Sequence, residues 1–363
     1  MVRVLHLVAA DHRRGAETFA VDLAAHLRRV GHQVRVLAVA GSETANPLHM
    51  EVAGTGRRDP KTWRSIVAAV YWSDVVVSFG STSLILGAMA ASALGRPFIY
   101  RSIGDPAVWG QVRFSDLRIG VPARSARTVV ALFPEAREQL LNAYRMDPDR
   151  VVVIPRGVPT QGFVPADTRR QREARISLGL DPRKRWIAMV GALSDEKDPC
   201  MAVEALATLD NEVGLVVAGD GPLERRVRER SASLGDRVAL LGAVEDVTAV
   251  YAAADSLVLP SRTEGVPGVA IEAGLCGLAV AAFDVGGVSS VVEDVRTGRL
   301  VRTRAPSLLA EAVQYTLDRR DQLGPAARAH CEAEFSMEVV GAAWEQIIDR
   351  LAPARSRTRG VGE

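Results

Sequence analysis

The chain has 363 residues, nearly half of them apolar, and a formal net charge of only +2. That length suits two domains of ordinary size, and the apolar share fills two cores, so global disorder is excluded. So small a charge gives no reason to expect nucleic acid as a partner.

No stretch reaches the roughly 18 consecutive apolar residues of a membrane span. Residues 2–10 are apolar, but His6 interrupts them and Asp11 and Arg13 follow closely. They read as a first buried strand, not a signal peptide. Cys200, Cys276 and Cys331 are far apart and in no metal-ligand spacing. They read as reduced, buried thiols of a cytoplasmic protein.

Short β-branched runs then alternate with helical patterns. The strand at 2–9 leads to a helix at 16–30, where Phe19, Leu23, Leu27 and Val30 share one face. Gly31 ends that helix and a strand resumes at 33–40. Further strands are expected at 74–79, 98–101, 128–131 and 151–155, with helices at 83–94 and 134–142. This is the pattern of a parallel sheet covered by helices on both faces. A charge-rich stretch at 161–185 separates it from a second series. There, strands are expected at 186–191, 214–219, 238–241, 256–259 and 279–282, with helices opening at Pro199, at Pro222, near Val247 and near Gly268. Asp198 is the expected cap of the helix at Pro199. Three helical patterns at 307–318, 325–334 and 336–351 close the chain, and 352–363 reads as a frayed tail. The expected fold is α/β, with two Rossmann-like parallel-sheet domains whose strand ends line a cleft. The domains are placed at 1–163 and 164–335, with a final helix at 336–352 and a tail at 353–363.

The fold alone fixes no function. Within S-R-T-E-G-V-P-G-V-A-I-E-A-G, Glu264 and Glu272 stand eight positions apart, after a strand and at the opening of a helix. Gly265 and Gly268 let backbone come close to a ligand, and the helix start offers free N–H groups to an anion. Glu272, about one turn along, can accept two hydrogen bonds from a ribose diol, and Glu264 can do the same for sugar hydroxyls. The plainer reading is a dipole-favourable acid and a solvated loop acid. The surrounding glycines and the A-G-L-C-G turn that follows weigh against it. In Gly191-Ala192-Leu193-Ser194-Asp195-Glu196-Lys197, the lysine sits between strand and helix, where it can pair with a diphosphate. Gly219-Asp220-Gly221-Pro222 reads first as turn chemistry. Arg14-Gly15-Ala16-Glu17 can present amides to a diphosphate. Asp284-Val285-Gly286-Gly287 is a candidate pocket loop. Asp147-Pro148-Asp149 reads as a turn, and no carboxylate or His/Cys cluster suggests a metal. There is no dinucleotide fingerprint after the first strand, no nucleophile elbow and no phosphate-binding lysine loop of the Walker type.

Together these motifs resemble the family 4 retaining glycosyltransferases of the GT-B fold. The resemblance runs from Val4 to about Leu351 and is most specific from Trp186 to Val301. G-x-L-x-x-E-K-D-P, A-G-D-G-P-L, L-G-A-V, E-G-V-P-G-V-A-I-E-A and T-G-R-L-V follow in the family's order. The resemblance implies transfer of a hexosyl group from a nucleotide-sugar, guessed to be a UDP-sugar, to a hydroxyl acceptor. Small molecules, lipids and glycans all qualify as acceptors, and peripheral membrane contact stays open. It implies retention of configuration without a metal or other cofactor. Lys197 is then the diphosphate ligand and Glu264 contacts the transferred sugar, the two carrying catalysis. Gly15, Gly191, Gly242, Val244, Gly265, Val266, Pro267 and Gly268 line the donor site, and Glu272 holds the ribose. The final helix returns to the N-terminal domain. Departures matter: the family arginine is here Ala192, with Arg262, Arg13 and Arg14 as candidate substitutes. The acceptor-side histidine is missing, leaving Arg101 and Asp105 as candidates. Rival readings are a GT-B epimerase or hydrolase and a non-catalytic nucleotide-sugar binder.

Overall fold

In the computed structural model, residues 1–42, 47–103 and 116–352 are described. The alternating pattern folds into two units, one comprising Met1–Val158 with the chain from Met337 on, the other Pro159–Ser336. The boundary expected near Phe163 falls inside the second unit.

Seven strands form the first sheet: β1 (Arg3–Ala10), β2 (Gln33–Ala40), β3 (Glu51–Val52), β4 (Val75–Phe79), β5 (Phe98–Arg101), β6 (Thr128–Ala131) and β7 (Val151–Val153). Their order is β3-β2-β1-β4-β5-β6-β7, all parallel. Six strands form the second: β8 (Arg185–Val190), β9 (Val213–Ala218), β10 (Val238–Gly242), β11 (Ser256–Leu259), β12 (Ala279–Phe283) and β13 (Gly298–Val301). They run parallel in the order β10-β9-β8-β11-β12-β13. In each sheet the chain starts at the middle, winds outward one way, then returns to wind the other. The switch points lie between β1 and β4 and between β8 and β11. Loops leaving adjacent strands diverge there, which opens a crevice at the strand C-termini. Because helices cover both faces, central strands such as β4, β9 and β12 are buried along their whole length.

Helices of the first unit include α1 (Gly15–Arg29), α2 (Pro60–Trp72), α3 (Ser81–Ala93) and α4 (Pro134–Tyr144). α1 buries Phe19, Ala20, Leu23, Ala24 and Leu27 on one stripe. The sequence reading passes over α2, although Asp59 caps it by accepting from Lys61 N and Pro60 opens it. Its buried stripe is Thr62, Ile66, Ala69 and Val70, at helical spacing.

The second unit holds α5 (Thr168–Ser177), α6 (Pro199–Ala207), α7 (Glu224–Ser231), α8 (Thr248–Ala253), α9 (Gly268–Leu275), α10 (Pro306–Asp318) and α11 (Arg320–Phe335). Two expectations change here. The charged stretch at 161–185 contains α5, whose Arg175 is buried and binds Asp255 at 2.6 Å and the Ala253 carbonyl at 2.9 Å. Asp255, at the foot of β11, also accepts Trp186 N at 2.7 Å, so a polar-looking segment is pinned by a buried ion pair. α11 begins at Arg320 and carries Pro325 inside it, where a breaker is expected to mark the start.

The last helix, α12 (Met337–Leu351), belongs to the first unit. Trp344 packs against Phe19 and Phe79 with ring centroids 6.3 and 6.1 Å away. Met337 N donates to the Val158 carbonyl at 2.9 Å. Gly341 permits this fit, because a Cβ there would stand 2.4 Å from the His26 ring. The tail expected at 353–363 lies outside the described residues.

All three cysteines are free and buried, and burial pushes the Cys276 and Cys331 thiols up to about 12. His6, in mid-β1, is fully buried with Nδ1 donating to the Ala20 carbonyl at 2.9 Å. Burial pushes its pKa down from 6.5 to about 4. Between those values the unfolded chain binds a proton there that the folded chain refuses, so stability falls as pH drops. Unfolding by denaturant should show about 3 kcal/mol less stability from this group at pH 4 than at pH 7. His6→Phe should flatten that part of the profile.

Candidate active site

The second unit's switch point gathers four loops. Loop 191–198 leaves β8, loop 260–267 leaves β11, loop 219–223 leaves β9 and loop 284–287 leaves β12. Backbone contacts lock them together. Gly219 N donates to the Gly242 carbonyl at 2.7 Å, and Leu193 N to the Asp220 carbonyl at 2.7 Å. Gly219, at φ 143°, lies so close to loop 191–198 that a Cβ would stand 1.9 Å from the Gly191 carbonyl oxygen. Gly286, at φ 53°, meets loop 260–267 the same way: a Cβ would stand 1.9 Å from the Glu264 carbonyl oxygen. Gly287 N also donates to that oxygen, at 3.3 Å. The G-D-G and D-V-G-G motifs therefore act by close backbone approach, and D-V-G-G fixes where Glu264 stands.

Glu264 is the buried acid of this site, only 6% exposed. Lys197 Nζ donates to its Oε1 at 2.7 Å, and Ser261 Oγ donates to the same oxygen at 2.6 Å. Glu196 is a weaker partner of Lys197, at 3.8 Å. Fold and sequence thus bring the two expected catalytic residues into direct contact, though 67 positions apart. Both contacts with Glu264 fall on Oε1. Lys197 has three N–H donors, so the ammonium keeps donors for a second anion.

Beyond Glu264, the chain passes through Gly265, Val266 and Pro267 into α9. That helix has no side-chain cap, so its first amides are left for other acceptors. Glu272 is half-buried one turn along, and Tyr251 donates its hydroxyl to Glu272 Oε2 at 2.9 Å. Tyr251 went unnoticed in the sequence. Its only signal is its place in Y-A-A-A-D-S, five residues before the first residue of the strand carrying the site. Gly191, Gly242 and Val244 stand half-exposed at the ends of β8 and β10, the first two at φ 140° and 69°.

One expected capping role is overturned. Asp198 is left-handed at φ 46° and its side chain makes no cap hydrogen bond. Its carboxylate instead takes Arg304 at 2.8 Å and Arg262 at 2.7 Å. Arg304 further donates to the carbonyls of Ser261 and Pro260 at 2.7 and 2.9 Å and lies 4.2 Å over the Phe283 ring. Arg304 is the brace sequence reasoning missed, because nothing in R-T-R after β13 signals a contact with a loop some forty residues earlier. Arg262, a candidate substitute for the arginine replaced by Ala192, is committed to Asp198. Arg13 and Arg14 are exposed in the first unit.

In the first unit, Gly15 opens α1 and Arg101 ends β5, both at the C-terminal edge of the sheet. Asp105 lies outside the described residues. Asp147 caps its own turn, accepting from Asp149 N at 3.1 Å, as a turn residue should. Among the described residues, the one trio placed to share a cation is His32, Glu345 and Asp349. It sits at the opposite edge of the first sheet, where β2 begins, and includes none of the residues around Glu264.

Two family descriptions divide the chain between them: "Glycosyltransferase Family 4" matches residues 13–161 and "Glycosyl transferases group 1" matches 184–319. A D-inositol 3-phosphate glycosyltransferase of Geodermatophilus obscurus is 36% identical over 250 residues, 64% of this chain and 53% of the relative. An alpha-maltose-1-phosphate synthase of Mycolicibacterium smegmatis is 31% identical over 232 residues, 58% of this chain and 60% of the relative. The chain spans about half the length of the curated relatives it matches, 53% and 46% of the first two. Among solved structures, Anabaena HepE in complex with UDP superposes with a TM-score of 0.84 at 20% identity, covering 96% of this chain and all of that one. A sucrose-phosphate synthase from Thermosynechococcus elongatus gives 0.81 at 22% identity, covering 97% of this chain and 99% of that one. The sheets, the order of the site loops and both family matches agree: the chain belongs to the family 4 glycosyltransferases of the GT-B fold.

Proposed function

We propose that the chain transfers a hexosyl group from a nucleotide-sugar to a hydroxyl acceptor, with retention of configuration and without a metal. The observation that carries this reading is the Lys197–Glu264 pair beside the uncapped start of α9, with Glu272 one turn further. The ammonium and the helix start form a positive corner suited to a diphosphate, and the two carboxylates suit hydroxyls of a sugar and a ribose. As the glycosidic bond to the diphosphate breaks, negative charge grows on the leaving oxygen. Lys197 and the α9 amides are already in place to stabilise it, which is electrostatic preorganisation. A phosphate oxygen of the leaving group then takes the proton of the attacking hydroxyl. Ser261 holds Glu264 in place, so the carboxylate orients the sugar without having to be ordered by it. Tyr251 does the same for Glu272.

The relatives' names, glycosyltransferase and maltose-1-phosphate synthase, support sugar transfer. A solved neighbour holding UDP makes uridine the base to test first. Reduced, buried cysteines suit a cytoplasmic enzyme.

The deciding experiment is incubation with labelled UDP-sugars, with and without an acceptor panel. Acceptor-dependent transfer is expected. Turnover of the nucleotide-sugar without any acceptor would favour an epimerase or hydrolase. Glu272→Ala should weaken UDP-sugar binding by about 1.5–3 kcal/mol in calorimetry, because a charged acceptor is lost. Glu264→Ala should lower turnover far more than it weakens UDP binding, since UDP lacks the sugar. Transfer should survive EDTA; loss restored by magnesium or manganese would overturn the metal-free mechanism.

A further inference from the structure

The turn between α1 and β2 faces the C-terminal half of α12, and it buries a histidine whose ring finds no partner. His32 is 8% exposed. Its backbone is fixed: its N–H donates to the Leu27 carbonyl at 2.9 Å, and the next N–H, of Gln33, donates to the Val2 carbonyl at 3.0 Å. Its imidazole makes no hydrogen bond among the described residues. Nδ1 is sealed from solvent without a partner, and Nε2 stands 3.9 Å from Glu345 Oε1, beyond hydrogen-bond reach. A buried ring nitrogen left so loses the hydrogen bonds that water gives it in the unfolded chain, and folded proteins seldom leave such a group unmet.

Two carboxylates converge on that ring. Glu345 and Asp349 are one helical turn apart on α12, which sets them on one face. One ligand atom each of His32, Glu345 and Asp349 lies within 4.8 Å of the other two. Among the described residues no lysine or arginine pairs with Glu345, and nearby Arg29 is drawn instead to Glu338, at 3.6 Å. His26 is not part of the trio. Its ring packs on Gly341, where a Cβ would stand 2.4 Å away. From His32 the trio runs outward to half-buried Glu345 and exposed Asp349, so water reaches it from the carboxylate side.

We propose that His32, Glu345 and Asp349 bind a divalent cation of the zinc class, which ties α12 to the α1–β2 turn. The donor set decides the class: one imidazole and two carboxylates suit zinc and its transition-metal neighbours, whereas magnesium and calcium take oxygen ligands. The two carboxylates balance the charge of the dication. Zinc holds nitrogen and carboxylate oxygen at about 2.0–2.2 Å, so ligand atoms on opposite sides of it stand about 4 Å apart. Reaching that from the present spacing takes a shift of about 1 Å, within the swing of two side chains that solvent reaches. Three protein ligands leave a fourth position for water on the open side. The unfolded chain does not hold these residues together, so the free energy of binding the ion adds to that of folding. The ion takes no part in sugar transfer, and the inference stands whatever the chain transfers.

The test is calorimetric titration of the full chain, stripped with EDTA and dialysed, with zinc chloride, beside melting curves in zinc and in magnesium. Wild type should bind zinc, and its melting temperature should climb as zinc is raised above the dissociation constant. Magnesium should leave it unmoved. Losing a residue that merely supports a metal ligand already weakens binding by about 10–100-fold, so His32→Gln and Glu345→Gln should each weaken zinc binding by about tenfold or more. Both should also lose most of the zinc-dependent rise in melting temperature. If His32→Gln does not fold, Glu345→Gln and Asp349→Asn carry the test. Zinc taken up elsewhere, by the cysteine thiols for example, would not respond to these substitutions. Absence of zinc binding by wild type, unchanged affinity in the variants, or equal stabilisation by magnesium would overturn the inference.

Discussion

The second unit is organised around where Glu264 must stand. Its carbonyl is touched by Gly286, its carboxylate is held by Lys197 and Ser261, and the loop carrying it is clamped from behind by Arg304. These partners come from four strand–helix connections, brought together because β8 and β11 are neighbours at the point where the sheet's winding reverses. Removing any of them leaves the acid buried without its full set of contacts, and a buried carboxylate tolerates that poorly. Backbone crowding, more than side-chain size, sets the tolerance. A methyl group at Gly219 or Gly286 would overlap a carbonyl oxygen, and both residues have positive φ.

Asp198 shows how such a site absorbs local cost. It takes a left-handed conformation that non-glycine residues seldom adopt, and Arg304 and Arg262 hold it there. What looks like a helix cap is instead the anchor of two arginines that brace the Glu264 loop. The arrangement keeps Lys197, the next residue back, aimed at Glu264.

The first unit is built on the opposite balance. Its core is apolar and tightly packed, with Phe19, Phe79 and Trp344 in mutual contact. Yet Arg101 ends in that aromatic cluster with its charge uncompensated by any described carboxylate. Ring faces give a guanidinium some attraction, but less than a counter-ion would.

Much of this was legible in the sequence. Periodicity placed the principal strands, because a parallel strand buried on both faces needs a continuous apolar run and a helix needs one stripe. The spacing of Glu264 and Glu272 and the strand–glycine–helix punctuation marked the loops of the candidate site, because a helix start and close backbone approach demand those residue types locally. Where an element is held by distant partners, the sequence was silent. Helix α5 looked like a charged linker because Arg175 is neutralised by Asp255, 80 residues away. Arg304 and Tyr251 had no local signature of a role, since their partners lie on distant loops and on α9. Pro325 looked like a helix start because packing, not propensity, carries α11 through it. Arg101 is read from the chain as the end of a strand; only the fold stacks it on Phe19 and sets Arg156 beside Gly15. Local chemistry, then, was written in the chain. Which charges meet was decided by the order of the strands, because that order alone brings far-separated residues within reach of one another.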